Sequence, residues 1–249
     1  MTQINQREII SKKLYGLNKH LIDLSKLFDF KKLPKVLMLT GKKGQGKFTL
    51  IQHLLSYVMD KDNYDLNLAT VKDKNKVFYN FKENTNPNII YIKCDDNKFK
   101  IDDIRSLRNN LQKSSINNFQ RFIIFDDVEC LNDNCINALL KTIEEPSKTN
   151  YFILINNQNS NVLDTLKSRC IELFIFLNQN ERLEIIKRLT NDLKIEKKID
   201  IKNTTLTPGS YLKYNQILED EKMSLKDKLI SNIEKLFKSY KQKKNIEYL

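Results

Sequence analysis

The sequence predicts an α/β fold: a five-stranded parallel sheet covered by helices on both faces, followed by a small helical region. Three observations carry this. Short apolar runs at 36–40, 88–93, 122–125, 151–156 and 170–176 alternate with stretches of helical periodicity, as expected of a buried parallel sheet. A glycine-rich turn joins the first run to an amphipathic segment. After Leu177-Asn178 the composition changes and the periodicity is helical. The expected boundaries are 1–177 for the α/β domain, 178–222 for a helical lid and 223–249 for a short helical remnant or the start of a further domain.

Residues 4–30 are mostly helical in character, with Leu14, Leu17, Leu21 and Leu24 at helical spacing and Gly16 interrupting them. Lys31-Lys32-Leu33-Pro34 breaks the pattern. Val36–Thr40 is a buried strand, and Ile51, Leu54, Leu55 and Val58 give the next helix one apolar face. Residues 60–87 are rich in Lys and Asn and read as an exposed connection with room for a short helix. Asn88–Lys93 is a strand and Ile101–Leu111 a helix. On that helix Arg105 and Arg108 are as readily an exposed face as contacts to DNA phosphate. Phe122–Phe125 is a strand ending in Asp126-Asp127. Asn132 or Asp133 caps a helix whose stripe is Ile136, Leu139, Leu140 and Ile143, and Pro146 stops it. Tyr151–Asn156 and Cys170–Phe176 are the last strands. Helices are then expected at 180–194, at about 210–220 after the turn Thr207-Pro208-Gly209-Ser210, and at 224–240.

Composition excludes several classes. With 249 residues, 40% apolar and 30% charged, the chain buries a sizeable core and is not disordered. No apolar stretch has the length of a membrane span, and the N-terminus lacks a signal-peptide pattern. A cytoplasmic location is therefore expected. The net charge of +12 suits a polyanion partner, but Lys far outnumbers Arg and Asn and Ile are abundant, as expected for a chain encoded by AT-rich DNA, so charge alone decides little. Cys94, Cys130, Cys135 and Cys170 contain no C-x2-C pair, so no zinc site is expected and the thiols read as free.

The chemistry is concentrated in two stretches. Gly41-Lys42-Lys43-Gly44-Gln45-Gly46-Lys47-Phe48-Thr49 follows the first strand and matches G-x4-G-K. Such glycines turn backbone amides inward around phosphate oxygens at a helix N-terminus, and Lys47 would meet the terminal phosphates. Phe48 stands where a Ser or Thr hydroxyl would hold magnesium. Thr49 is one position late, about 100° around the helix. The second stretch runs from Phe122 to Cys170. It places Asp126 where a carboxylate would hold magnesium, Asn156 as a candidate phosphate sensor at the end of the next strand, and Ser168-Arg169-Cys170 after a short helical segment. An acidic pair alone often just ends a strand; one helix away from the other members of this set it is informative.

These motifs, with Asn137-Ala138-Leu139-Leu140-Lys141 and Glu144-Glu145-Pro146 at a fixed distance before Ser168-Arg169-Cys170, resemble the AAA+ clamp-loader subunits of bacterial DNA polymerase III, in their delta-prime group. The resemblance covers about Leu14 to Ser210. It implies a hetero-oligomer with motor and delta-like subunits that places a sliding clamp on primer-template DNA, as an accessory part of a DNA-directed DNA polymerase (a nucleotidyltransferase) holoenzyme. It implies that Arg169 is an arginine finger acting in a neighbour's site, supported by Ser168 and Cys170, and that Leu14–Leu17 is the segment near the adenine of active relatives. Gly41, Gly44, Gly46, Lys47, Phe48, Thr49, Asp126, Asp127 and Asn156 would then form a degenerate nucleotide site. Phe48 lacks the metal-binding hydroxyl, Asp127 replaces a catalytic glutamate, and the segment around Pro208-Gly209-Ser210-Tyr211 has no arginine as second sensor. No intrinsic ATPase or polymerase activity is expected, nucleotide binding would be weak or vestigial, and no cysteine-rich zinc module follows the glycine loop. The collar region that the family uses for assembly would be reduced or truncated. The competing readings are an active motor-type ATPase, against which Phe48 and Asp127 stand, and a stand-alone basic DNA-binding protein, which rests on net charge.

Overall fold

The structure is a computed structural model that describes residues 11–81, 86–93, 99, 101–111, 120–158, 161–221, 223 and 229–243. Residues 4–10, Cys94, the Arg108 side chain and residues 224–228 of the expected last helix lie outside the described residues. The chain divides into two compact units. One comprises Met1–Lys42 and Gly46–Ile175, the other Lys43–Gln45 and Phe176–Leu249.

The first unit is built on the predicted parallel sheet. Its strands are β1 (Val36–Thr40), β4 (Ile89–Lys93), β5 (Arg121–Asp126), β6 (Asn150–Asn156) and β7 (Ile171–Phe174), in the spatial order β4-β5-β6-β1-β7. Every residue of β1 and β6 is buried, which explains why they read as continuous apolar runs rather than alternating ones. Alternate residues divide between the two faces. Val36, Met38, Ile123, Phe125, Phe152 and Leu154 share one core cluster with Ile104 and Leu107 of α4 (Ile101–Leu111) and Ile136, Leu139 and Ile143 of α5 (Asp133–Ile143). On the other face Phe28 of α1 (Asn18–Asp29) packs on Phe122 and Tyr151 at ring-centroid distances of 6.0 and 6.2 Å. The helix α2 (Lys47–Met59) buries Leu50, Ile51, Leu54 and Leu55. Of the two capping candidates before α5 it is Asn132 that caps, its Oδ1 accepting from Cys135 N at 2.9 Å.

Two expectations change. Leu14 and Leu17 are not helical: they precede α1 in an irregular strap, with Gly16 at φ +74° and Leu17 at the N-cap of α1. Both are buried, and the start of the strap is tied down where Leu14 N donates to Ala69 O and Val71 N to Lys12 O. The segment 60–87 is not a simple exposed connection. It contains a 3-10 turn (Lys61–Asn63), a hairpin of β2 (Tyr64–Asp65) and β3 (Thr70–Val71), and α3 (Lys76–Tyr79). Tyr64, Val71, Phe78 and Phe81 are buried. One of the polar residues that suggested exposure, Asn75, ties it down together with Gln52 and His53 of α2. Asn75, fully buried, accepts from Phe78 N at 3.0 Å and donates to Ser56 O at 3.1 Å. Gln52 Nε2 reaches Phe78 O at 2.8 Å. His53 binds the Tyr64 hydroxyl through Nδ1 at 2.7 Å and the Ser11 carbonyl through Nε2 at 3.1 Å. Since a carbonyl only accepts, Nε2 carries the proton and Nδ1 accepts from Tyr64.

The second unit is helical, with α7 (Gln179–Asp192), α8 (Pro208–Asp220) and α9 (Leu229–Lys243), and α6 (Asp164–Lys167) is the short helix before β7 in the first. A reciprocal capping box starts α7: Asn178 Oδ1 accepts from Glu181 N at 3.0 Å, and Glu181 Oε2 from Asn178 N at 2.9 Å. Tyr211 is buried and donates to Ile199 O at 2.6 Å. Within this unit Gly209 N donates to Gly44 O at 2.8 Å, and a Cβ on Gly209 would meet Gly44 Cα at 2.8 Å. The glycine at 209 is thus required by close backbone approach.

Candidate functional site

Strand register assembles the candidate site. Thr40 lies opposite Asn156, Asp126 opposite Ile155, and Lys93 opposite Asp126. The carboxyl ends of β1, β5 and β6 therefore align, at the edge of an open sheet where ligands of α/β proteins bind. Gly41 continues from β1, its N–H donating to Asn156 O at 3.2 Å. Gly46 caps α2 in the left-handed region at φ +90°, and a Cβ there would meet Leu17 Cδ1 at 3.2 Å. The strap residue Leu17 thus seals one side of the glycine loop.

The lysine of the loop faces inward. Lys47 is only 3% exposed, and its Nζ donates to the carbonyls of Gly41 at 2.5 Å and Lys42 at 2.9 Å. These acceptors belong to the same loop whose amides would cradle a phosphate. Phe48, on the first turn of α2, meets Phe81 and Tyr91 edge-to-face at centroid distances of 5.4 and 5.3 Å. Thr49 follows it, half-buried.

Tyr91 links this aromatic group to the acidic pair. Its hydroxyl donates to Asp126 Oδ2 at 2.9 Å, and Asp127 N donates to Asp126 Oδ1 at 3.0 Å. Burial, and secondarily the charge of Asp127, push the Asp126 carboxyl above its ordinary range. Asp127 is buried with a left-handed backbone at φ 60°, ψ 47°, a conformation that costs a non-glycine residue of order 1 kcal/mol. Its Oδ1 accepts from Asn157 Nδ2 at 2.6 Å, while Asn157 N donates to Glu129 Oε2 at 3.1 Å.

The amide that reaches the acidic pair is therefore that of Asn157. Asn156 points to Thr40 Oγ1 at 3.4 Å and accepts from Gln158 N at 2.9 Å. Thr40 in turn donates to Glu172 Oε1. Sequence reading singled out Asn156 as the last strand residue. Tyr91 and Asn157 were missed: the first lies on a neighbouring strand with no motif around it, the second one step past the strand end. The doubled Asn156-Asn157 was the available signal for Asn157.

Arg169 lies at the opposite end of the sheet. It follows α6 and precedes β7, and β7 runs parallel to β1 with Ile171 opposite Leu37 and Phe174 opposite Thr40. About 10 Å of strand separates Ile171 from the level of Thr40, so Arg169 is remote from its own chain's Asp126. Its Nε and Nη2 bind Glu144 Oε1 at 2.9 and 2.8 Å, and its Nη1 donates to Thr165 O at 2.9 Å. Ser168 Oγ donates to the same carbonyl at 3.1 Å. Cys170 Sγ donates to Leu166 O at 3.0 Å, and burial together with the charge of Glu172 pushes its thiol up to about 12, a direction that disfavours the thiolate. Arg105, ion-paired with Asp102 at 3.5 Å, lines a groove of about 250 Å³ between α4 and α5 with Asn134, Asn137 and Lys141.

A family model described as DNA polymerase III, delta subunit, matches residues 16–179. The DNA polymerase III subunit delta' of Buchnera aphidicola subsp. Schizaphis graminum is 28% identical over 67% of this chain and 53% of its own length. That of Buchnera aphidicola subsp. Acyrthosiphon pisum is 32% identical over 35% of this chain and 27% of its own. The chain thus spans from about a quarter to about half the length of these curated relatives. Among solved structures, a DNA polymerase III gamma subunit-related protein of Thermotoga maritima superposes with a TM-score of 0.51 over 92% of this chain and 74% of that one, at 16% identity. That likeness is one of fold.

Proposed function

The chain belongs to the DNA polymerase III delta-subunit family, among its delta-prime members, and from that premise we propose that it is a non-hydrolysing clamp-loader subunit. Its fold is α/β of the AAA+ type. In the proposed role it assembles with motor and delta-like subunits, helps place the sliding clamp on primer-template DNA, and lends Arg169 to a neighbour's ATP site.

The observation that carries the reading is the hydrogen bond from Tyr91 to Asp126, with Phe48 packed on the same ring. A magnesium-nucleotide site needs a hydroxyl on the first helical turn, a carboxylate free for metal-bound water and a lysine free for phosphate. Here the first is a phenyl ring, the second accepts from a tyrosine, and the third is bonded to two carbonyls of its own loop. These residues do not fit a catalytic magnesium, so no hydrolytic step is derived for this chain.

The position of Arg169 supports action in trans. An arginine remote from its own acidic pair has no substrate in its own chain, and in phosphoryl transfer a guanidinium supplied by another subunit stabilises charge on the transferring group. The test is ATP turnover by the purified chain alone and by the complex reconstituted with its motor subunits. The expected result is no turnover alone, and a loss on the order of 10³-fold at the affected site when Arg169→Ala is assembled. Robust magnesium-dependent turnover by the chain alone overturns the non-hydrolysing assignment. Unchanged turnover of the Arg169→Ala complex overturns the role of the arginine.

A further inference from the structure

We infer that Glu144 is a positioning residue for Arg169: it holds the guanidinium in the orientation in which it meets an anionic oxygen of a neighbouring chain. The inference rests on the reading of Arg169 proposed above and adds to it a second residue.

An arginine side chain is long and loses much rotamer freedom when fixed. One that must meet a transferring phosphoryl group has to be fixed, because a misplacement of about 1 Å costs roughly 10²-fold in rate. Arg169 is fixed before any partner arrives. Nε and Nη2 converge on one oxygen of Glu144, and Nη1 is held by the Thr165 carbonyl, which the Ser168 hydroxyl also uses. These contacts engage three of the five N–H donors of a guanidinium. A fourth comes within 3.5 Å of Ser168 Oγ, at the limit of a hydrogen bond, so donors remain for an anionic oxygen.

The pair has little to do with holding the fold. The side chains are 37% and 47% exposed, and ion pairs so open to solvent contribute little to stability. Glu144 also stands at the C-cap of α5, where the helix dipole disfavours a negative charge. An acid placed there gains from a cation, and the cation present is Arg169, contributed 25 residues later by a different element. Glu144 thus acts on Arg169 and, through it, on the neighbour's site.

The test is steady-state ATP turnover of the reconstituted complex carrying Glu144→Ala, Glu144→Gln, Arg169→Ala and the Glu144→Ala/Arg169→Ala pair, with the melting midpoint of each chain measured separately. Glu144→Ala is expected to lower kcat about tenfold with KM for ATP unchanged. Glu144→Gln, which keeps an acceptor oxygen, recovers most of that loss. The double variant is no worse than Arg169→Ala alone, as for two residues acting in one pathway. All four chains melt within a few degrees of the unsubstituted one. Wild-type or raised kcat for Glu144→Ala, with Arg169→Ala impaired, overturns the role of Glu144 alone. If Arg169→Ala itself leaves turnover unchanged, the role of the arginine falls and that of Glu144 with it.

Discussion

Tyr91 donates its hydroxyl to Asp126 across the boundary between β4 and β5, at 2.9 Å, and presents its ring to Phe48 on α2. One residue thus joins the acid at a strand end to the aromatic group that occupies the first turn of the adjoining helix. Polar and apolar parts of the site are closed by the same side chain.

Tyr91→Phe should therefore destabilise the chain by about 1–2 kcal/mol, the cost of leaving a half-buried carboxylate short of a donor. The ring contacts to Phe48 and Phe81 survive this change. Phe48→Ala removes two edge-to-face contacts instead, at about 0.5–1.5 kcal/mol each beyond the lost burial. Denaturant unfolding of both variants checks the order, with Phe48→Ala the more damaging.

His53 predicts a pH dependence. Burial lowers its imidazole from 6.5 to about 4. Because the folded-state value lies below the unfolded one, the unfolded chain takes up the proton first. The stability that the neutral ring contributes is present above pH 6.5 and is lost as pH falls towards 4. The full difference is roughly 3 kcal/mol. Asp126, raised by burial, works in the opposite sense: its contribution is present at low pH and is lost as pH rises through its folded value. Comparing unfolding at pH 7 and pH 4.5 in the unsubstituted chain and in His53→Phe isolates the histidine. The acid-linked loss should be smaller in the variant.

Asn75→Ala should cost about 2–3 kcal/mol, since one buried amide both caps α3 and satisfies the Ser56 carbonyl. Its effect should concentrate on the hairpin and α3. Amide hydrogen exchange would show protection falling at Tyr64–Tyr79 before the central strands respond.

The contrast between what was legible and what was not follows the physics of each element. Strands β1, β5 and β6 were plain because burial on both faces leaves uninterrupted apolar runs. The region from Tyr64 to Phe81 was not, because Asn75 suggests solvent when read in sequence and the other anchors, Gln52 and His53, lie outside the region on α2. Leu14 and Leu17 mimicked helical spacing while lying in an irregular strap before α1. In the candidate site, the glycine loop, Asp126 and Arg169 were singled out by motif spacing. Tyr91 was not, because its bond to Asp126 depends on which strands are neighbours. Asn157 was missed because the side chain turned towards Asp127 is one residue beyond the strand, where period-two reasoning stops.

The parallel register of β1 and β7 has a further meaning. A sheet whose strands all run one way has two unlike ends, and here the glycine loop with its acids sits at one end while the Arg169–Glu144 pair sits at the other. None of the hydrogen bonds described at either end joins the two. Damage at the head of the sheet need not reach its tail. Phe48 and Tyr91 can close one end while the guanidinium at the other keeps its geometry, so in the proposed role the loss of one reaction and the gift of an arginine to another chain would be separable.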